Sequence, residues 1–216
     1  MLEVRDVSLR FGTRSVLDHV SLSVGDGETV GLLGPSGIGK SSLLRIIAGL
    51  VRPDSGAVFV DGTDVTASAP HKRHIGIVFQ NNALFPHLSV RENIEYGLRR
   101  QKMKRATRDI RVDELLAKMK IESIVNRSVD TLSGGEAKRV AVARTLAPRP
   151  TIVLLDEPLT GLDLDTYLAV RADLIDEVRS GGSSALWVTH DENEATAIAT
   201  RVVRLGDQPT TETVIA

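Results

Sequence analysis

The chain has 216 residues, above the usual size of one domain, so the first expectation is a single domain carrying a subdomain. Its 27 Lys+Arg almost cancel 28 Asp+Glu, which gives no support for a nucleic-acid binder held by phosphate attraction. Cysteine is absent, which removes disulfides and thiolate metal sites and suits a reducing cytosol. Met1 leads straight into Leu2-Glu3-Val4-Arg5 with no signal-peptide pattern, and no apolar run nears the ~18 residues of a membrane span. The expectation is a soluble protein whose membrane role, if it has one, comes through a partner.

Residues 2–9 alternate apolar and polar through Leu2, Val4, Val7 and Leu9, and Val16, Val20, Leu22 and Val24 continue the pattern. Both stretches predict half-exposed, antiparallel strands. Phe11, beside Gly12, sits between them as core filler or as a stacking platform. Thr29–Leu33 reads as a short buried strand, and Ser42–Ala48 has helical spacing and stops at Gly49.

Between them lies Gly34-Pro35-Ser36-Gly37-Ile38-Gly39-Lys40-Ser41, which fits the phosphate-binding pattern G-x-x-x-x-G-K-[ST]. Strand, glycine loop and helix is the context that pattern requires. Glycines let backbone N–H groups turn inward, and a helix N-terminus adds positive potential. Lys40 can then reach the β- and γ-phosphates, and the Ser41 hydroxyl can hold Mg²⁺.

Arg52–Gly56 predicts a turn, 57–62 a strand closed by another turn, and Ile75–Phe79 a buried strand ending at Gln80. From 81 to about 132 the texture becomes helical and charge-rich. Ser89-Val90-Arg91-Glu92 is a capping box opening a helix. The run Arg99–Arg105 holds five basic residues in seven, read as a solvated helix face in preference to a membrane or partner patch.

Ser133-Gly134-Gly135-Glu136 is a second capping box before a helix over 137–147, and its two glycines expose N–H groups. On physics alone it is either a well-capped helix or a phosphate contact. Ile152–Leu155 is a continuous apolar strand of the parallel kind, followed directly by Asp156-Glu157. Ligands gather at the carboxyl ends of parallel strands, so Asp156 suits a metal and Glu157 suits orienting a water. A strand-end turn with solvated acids is the alternative.

A helix over 164–179 is expected to bury Leu168, Ala172, Ile175 and Val178; a strand at 185–189, a helix at 193–199 and a strand at 202–205 follow. The polar tail 206–216 is expected to fray. His71 and His74 have no acid or cysteine at ligand spacing, so no metal site is read there, and His190 alone reads as structural. Alternating strands and helices give an α/β chain with a mostly parallel sheet covered by helices, an antiparallel β subdomain and a helical subdomain.

The order of these motifs resembles the nucleotide-binding subunits of ATP-binding cassette (ABC) transporters, over nearly the whole chain. The matching positions are the P-loop Gly34–Ser41, Gln80, the signature Leu132-Ser133-Gly134-Gly135-Glu136, the strand and acids Ile152–Glu157, Leu162-Asp163 and His190. The resemblance implies a P-loop NTPase core over about 1–80 and 133–205, a helical subdomain over about 81–132 and a tail at 206–216, all within one ABC ATPase domain spanning 1–216. It implies ATP and Mg²⁺ as cofactors. Phe11 would stack on adenine, and Gly34, Pro35, Ser36, Gly37, Ile38, Gly39, Lys40, Ser41 and Ser42 would hold the phosphates. Ser41, Gln80 and Asp156 would serve the metal; Lys40, Glu157 and His190 would serve catalysis.

It further implies a head-to-tail homodimer, or a paired ATPase subunit, with two ATP molecules at the interface. There Ser133, Gly134 and Gly135 of one subunit meet the γ-phosphate bound by Lys40 of the other, and Asp163 is a further nucleotide-binding residue. Other implied partners are integral-membrane permease subunits and, for an importer, a solute-binding protein; nucleic acid is not one. Localisation would be cytoplasmic, peripheral on the inner face of the cell membrane.

The stretches 81–94 and 189–195 look like prokaryotic importers for polyamines, iron, sulfate, molybdate or thiamine. An exporter subunit, or a non-transport ATPase of DNA repair or translation, is the alternative. Three features depart from the family pattern: Glu136 where Gln is usual, Thr160-Gly161 where Ser-Ala is usual, and too few residues after His190 for the regulatory domain some importers carry.

Overall fold

The computed structural model describes residues 1–206 in full and Thr211–Val214 by its backbone. The chain divides into two compact units: Met1–Ile77 with Thr151–Glu157 and Gly182–Ala216, and Val78–Pro150 with Pro158–Gly181.

The first unit carries two sheets. One is four-stranded, in the order β2-β1-β4-β5, from β1 (Leu2–Phe11), β2 (Arg14–Val24), β4 (Ser55–Val60) and β5 (Thr63–Asp64). All of its pairings are antiparallel, as the alternation of residues 2–24 predicts. The other is six-stranded, in the order β10-β9-β3-β8-β7-β6. It is built from β3 (Thr29–Leu33), β6 (Ile75–Val78), β7 (Ile152–Asp156), β8 (Ser184–Thr189), β9 (Arg201–Arg204) and β10 (Thr211–Val214). β3 runs parallel to β8 and β9, and β7 parallel to β8. β3, β7 and β8 are buried along their whole lengths, the signature of a sheet covered on both faces.

Helix α1 (Lys40–Ile47) follows β3, and α6 (Glu192–Ile198) follows β8. Val30, Leu32, Leu43, Leu44, Ile46, Leu154 and Leu186 are among the fully buried core residues of this unit. Each such side chain contributes roughly 1.5–3 kcal/mol.

Two expectations need correction here. Ile75–Val78 forms its strand, but only Val78 is fully buried. The tail was expected to fray, yet Thr211–Val214 pairs antiparallel with β9; residues 207–210 and 215–216 lie outside the described residues.

The second unit is helical: α2 (Val90–Arg100), α3 (Arg105–Lys118), α4 (Gly134–Leu146) and α5 (Leu164–Ser180). Both predicted capping boxes are formed, Ser89 with Glu92 and Ser133 with Glu136. The basic run 99–105 does not lie on one helix face, because the chain leaves α2 after Arg100 and re-enters helix at Arg105.

The buried face of α5 is Val170, Leu174, Glu177 and Val178, while Leu168 is 44% exposed. Val178 is buried as expected, whereas Ala172 is exposed and Ile175 only half-buried; the expected face left out the charged Glu177. Glu177 is buried with its carboxylate bonded to Arg111 (2.8 Å) and Lys118. Burial alone would push Glu177 up, but those two cations hold it below the ordinary carboxylate range. No described helix is long and apolar enough to cross a membrane.

Candidate active site

In the first unit the chain leaves β3 at Gly34, where a Cβ would stand 2.9 Å from the Leu205 carbonyl and 3.1 Å from Ile38 Cγ2. Gly39 is more demanding. Its φ of +114° lies in the left-handed region, and a Cβ would meet Leu17 Cδ2 and the Val16 carbonyl, each at 2.8 Å. Gly39 is also the N-cap of α1; no side chain caps that helix and no acid occupies its first turn. The helix therefore begins with its backbone donors unclaimed by side chains. That is the arrangement an anion seeks.

Lys40 is 5% exposed, and its Nζ donates to the carbonyls of Gly34 (2.6 Å) and Pro35 (3.0 Å). Burial lowers its pKa, an effect the charges of Glu157 and Asp156 oppose. Pro35, Ser36 and Gly37 form the exposed crest of the loop; Ile38 packs against the core, and Ser41 and Ser42 are half-buried.

The Ser41 hydroxyl donates to Asp156 Oδ1 at 3.0 Å, so the helix start and the end of β7 are joined by two hard oxygen donors. Burial raises the Asp156 pKa, with the Ser41 bond acting against the rise and the Glu157 charge adding to it. No group of three His, Cys, Asp or Glu that could hold a metal ion by itself exists among the described residues. One hydroxyl and one carboxylate fit Mg²⁺, which takes few protein ligands and fills its shell with phosphates and water.

Glu157 holds a left-handed φ of +45°, costly for a residue with a Cβ, and its N–H donates to the Val188 carbonyl at 3.1 Å. His190 Nδ1 lies 3.2 Å from Glu157 Oε1, with the imidazole 57% exposed. Phe11 ends β1 and is 58% exposed, which removes the core-filler reading.

The second unit holds the other predicted residues. Ser133 Oγ accepts from Glu136 N–H at 3.2 Å, and Glu136 Oε2 accepts from Ser133 N–H at 2.7 Å. These bonds, with Arg127 nearby, lower the Glu136 pKa. Gly134 has open space where a Cβ would stand, whereas a Cβ on Gly135 would lie 3.0 Å from Thr166 Cγ2. Asp163 caps α5 by accepting from Thr166 N–H at 3.0 Å. An open pocket of about 480 Å³ is lined by Lys120, Ser133, Gly135, Arg139, Asp163 and Thr166 among others. Gln80 is exposed, and its carbonyl accepts from Lys138 Nζ at 2.9 Å.

Two supporting residues escape local reading, and a third left a signal. Arg73 is buried and donates to the carbonyls of Ile46, Ile47, Thr66 and Ser68 (2.8–3.0 Å), closing the C-terminus of α1 with a cation. Gly49 leaves room for it, since a Cβ there would stand 2.5 Å from Arg73 Nε. Asn93, fully buried, accepts from Phe85 N–H and donates to the carbonyls of Phe85, Leu88 and Ser89. Lys138 did leave a signal: it shares a helical stripe with the buried residues Ala141, Val142 and Thr145, where a charge needs a partner.

Comparison with known proteins agrees with this arrangement. Residues 17–160 match the profile described as ABC transporter. The chain is 43% identical over 202 residues to the Fe(3+) ions import ATP-binding protein FbpC of Escherichia coli, covering 94% of this chain and 58% of that protein. It is 45% identical to the probable sulfate/thiosulfate import ATP-binding protein CysA of Chlorella vulgaris, covering 94% and 86%. It is 42% identical to the spermidine/putrescine import ATP-binding protein PotA of Bacteroides fragilis, covering 96% and 45%. It thus spans about half the length of some of these relatives.

Among solved structures, a dimeric ATP-binding cassette in a post-hydrolysis state with ADP and Pi superposes with a TM-score of 0.87 at 32% identity, covering 100% of this chain and 99% of that one. Fold, motif order and sequence identity converge, and the chain belongs to the ABC transporter family.

Proposed function

We propose that the chain binds and hydrolyses ATP to power import of a solute across the cytoplasmic membrane, as one cassette spanning 1–216 with a helical subdomain over about 81–132. The observation that carries this is the first unit's convergence of Lys40, Ser41, Asp156, Glu157 and His190 around an uncapped helix start. The loop amides and Lys40 bind the phosphates, with Gly34–Ser42 shaping the cradle and Phe11 offering a ring for adenine. Ser41 and Asp156 would hold Mg²⁺, which neutralises charge on the transferred phosphoryl group; Gln80 is assigned to the same ion on its motif.

Glu157 orients a water for attack on the γ-phosphorus as the bond to the β-phosphate oxygen breaks. His190 steadies that carboxylate and reaches the γ-phosphate. Most of the acceleration is positioning and charge stabilisation rather than covalent chemistry.

Ser133, Gly134, Gly135 and Asp163 serve the nucleotide held by a second copy, in a two-fold head-to-tail dimer. The solved cassette that this chain resembles is itself dimeric, and the similar curated proteins are import subunits, which supports both points. Integral-membrane permease subunits would be the further partners, with a solute-binding protein for an importer, and the chain would lie on the cytoplasmic face.

The permease would dock near 80–86. There Phe85 packs on Tyr96 with ring centroids 4.4 Å apart, and Tyr96 is 42% exposed. Replacing Phe85 with Ala should uncouple transport while leaving basal turnover intact; equal loss of both would overturn the docking assignment. The function itself is tested by Mg²⁺-dependent ATP turnover of the purified chain and by co-purification from native membranes. Turnover abolished by EDTA, with a multi-span permease alongside, supports the reading. Failure to bind ATP, or only soluble partners, overturns it.

A further inference from the structure

The segment from Gln80 to Phe85 is held in a conformation its own sequence does not favour. Asn82 and Ala83 both take left-handed φ, +60° and +48°. Asparagine tolerates that region, whereas alanine pays for its Cβ there. Asn82 Oδ1 is also buried without a hydrogen-bond partner. Consecutive left-handed residues and an orphaned amide oxygen mark a segment kept in place by its surroundings.

Those surroundings are two cations of α4, the helix that begins at the signature. Lys138, 5% exposed, donates to the Gln80 carbonyl at 2.9 Å. Two turns on, Arg144 donates from Nη1 to the Ala83 carbonyl at 2.6 Å and from Nη2 to the Asn82 carbonyl at 3.0 Å. The Arg144 guanidinium also stands 5.3 Å from the centre of the Phe85 ring. Burial lowers the Arg144 pKa, as expected of a cation taken from water to serve main-chain oxygens. From the far side Asn93 holds both the N–H and the carbonyl of Phe85.

We propose that Lys138 and Arg144 are positioning residues for Gln80. They clamp the strained 80–85 segment to the signature helix, so that the two nucleotide-directed motifs of this unit, Gln80 and Ser133–Gly135, form one mechanical element. The inference rests on the proposed function, in which Gln80 serves the metal. Lys138 and Arg144 touch no nucleotide in this scheme; they act through the backbone.

The test is a double-mutant cycle on the full chain, reading Mg²⁺-ATP turnover. Lys138→Met should lower kcat about tenfold, the scale of one lost charged hydrogen bond, with KM within about twofold. In a Gln80→Ala background the same change should cost nothing more, because its only route is already gone. An equal loss in both backgrounds overturns the clamp while leaving the ATPase reading intact. Unchanged turnover in Gln80→Ala alone overturns the assignment of Gln80, and the clamp with it.

Arg144→Lys, which keeps the charge but loses the two-nitrogen fork that reaches both carbonyls, provides a readout independent of turnover. Amide exchange at Asn82, Ala83 and Phe85 should quicken about tenfold while the amides of α4 keep their protection. Unchanged exchange in the loop overturns the proposal.

Discussion

The chain contains two glycine-bearing helix starts, and they are built in opposite ways. Helix α1 begins at Gly39, with left-handed backbone, no side-chain cap and no acid in its first turn. Helix α4 begins at Ser133 with a complete capping box, so two of its N–H groups are already used by Ser133 Oγ and Glu136. The first start is open to an anion from outside; the second is half claimed by its own cap and carries a negative charge. Under the proposed function the first start holds the phosphates of its own nucleotide, and the second serves a phosphate held by another copy.

The sharpest way to break this comparison is at the acids beside α1. Glu157→Gln should lower turnover by about 10²–10³-fold while ATP binding persists, since the phosphate contacts remain and only the water-orienting carboxylate is lost. Lys40→Ala should instead lose binding, measured by calorimetry with Mg²⁺-ATP. If the two variants lost binding equally, the separation of holding from reacting groups would fail.

Glycine substitutions come next. Gly39→Ala forces a Cβ into 2.8 Å contacts at a φ of +114°, and should destabilise the fold by about 2 kcal/mol or more in denaturant melts. Gly134→Ala meets nothing within 4 Å, so stability should stay within about 0.5 kcal/mol of the parent. Its effect should appear only in ATP-driven dimerisation, as a loss with no change in melting. A Gly134→Ala chain that unfolds would show that α4's start is structural.

The smallest effect is expected at Glu136→Gln. The amide oxygen can still accept from Ser133 N–H, so the cap survives while the charge goes. ATP-driven dimerisation should strengthen about two- to fivefold, with a slight loss of thermal stability. Because the cap bonds depress the Glu136 pKa, its contribution to stability is full above the ordinary carboxylate pKa of about 4.3. It is lost only as pH falls through the lower folded-state value. The dimerisation gain should therefore be constant between about pH 5 and 8. A gain that vanished within that window would place the effect elsewhere.

Much of this was readable beforehand where the signal is local. The alternation in residues 2–24, the strand-loop-helix order around Gly34–Ser41 and both capping boxes depend on spacings of a few residues, and each appears as read, save that the helix starts at Lys40 and not Ser42. What the sequence hid is what distant partners decide. The face of α5 turns on Glu177, a charge that is buried only because Arg111 and Lys118, about sixty residues earlier in sequence, reach it. Arg73 closes α1 from beyond a whole β-hairpin, and nothing in Pro70–Arg73 announces it. The left-handed Ala83 is likewise a tertiary demand, since alanine has no local reason to adopt it. Even so, Lys138 shows that a cation in an apolar stripe can be read as a request for a partner.

The most direct test is the sedimentation behaviour of the Glu157→Gln chain with and without saturating Mg²⁺-ATP. An open helix start in one copy and a capped one in the other, meeting at one phosphate, predict a monomer without nucleotide and a stable dimer with it. A chain that binds ATP fully and still sediments as a monomer would contradict the shared site.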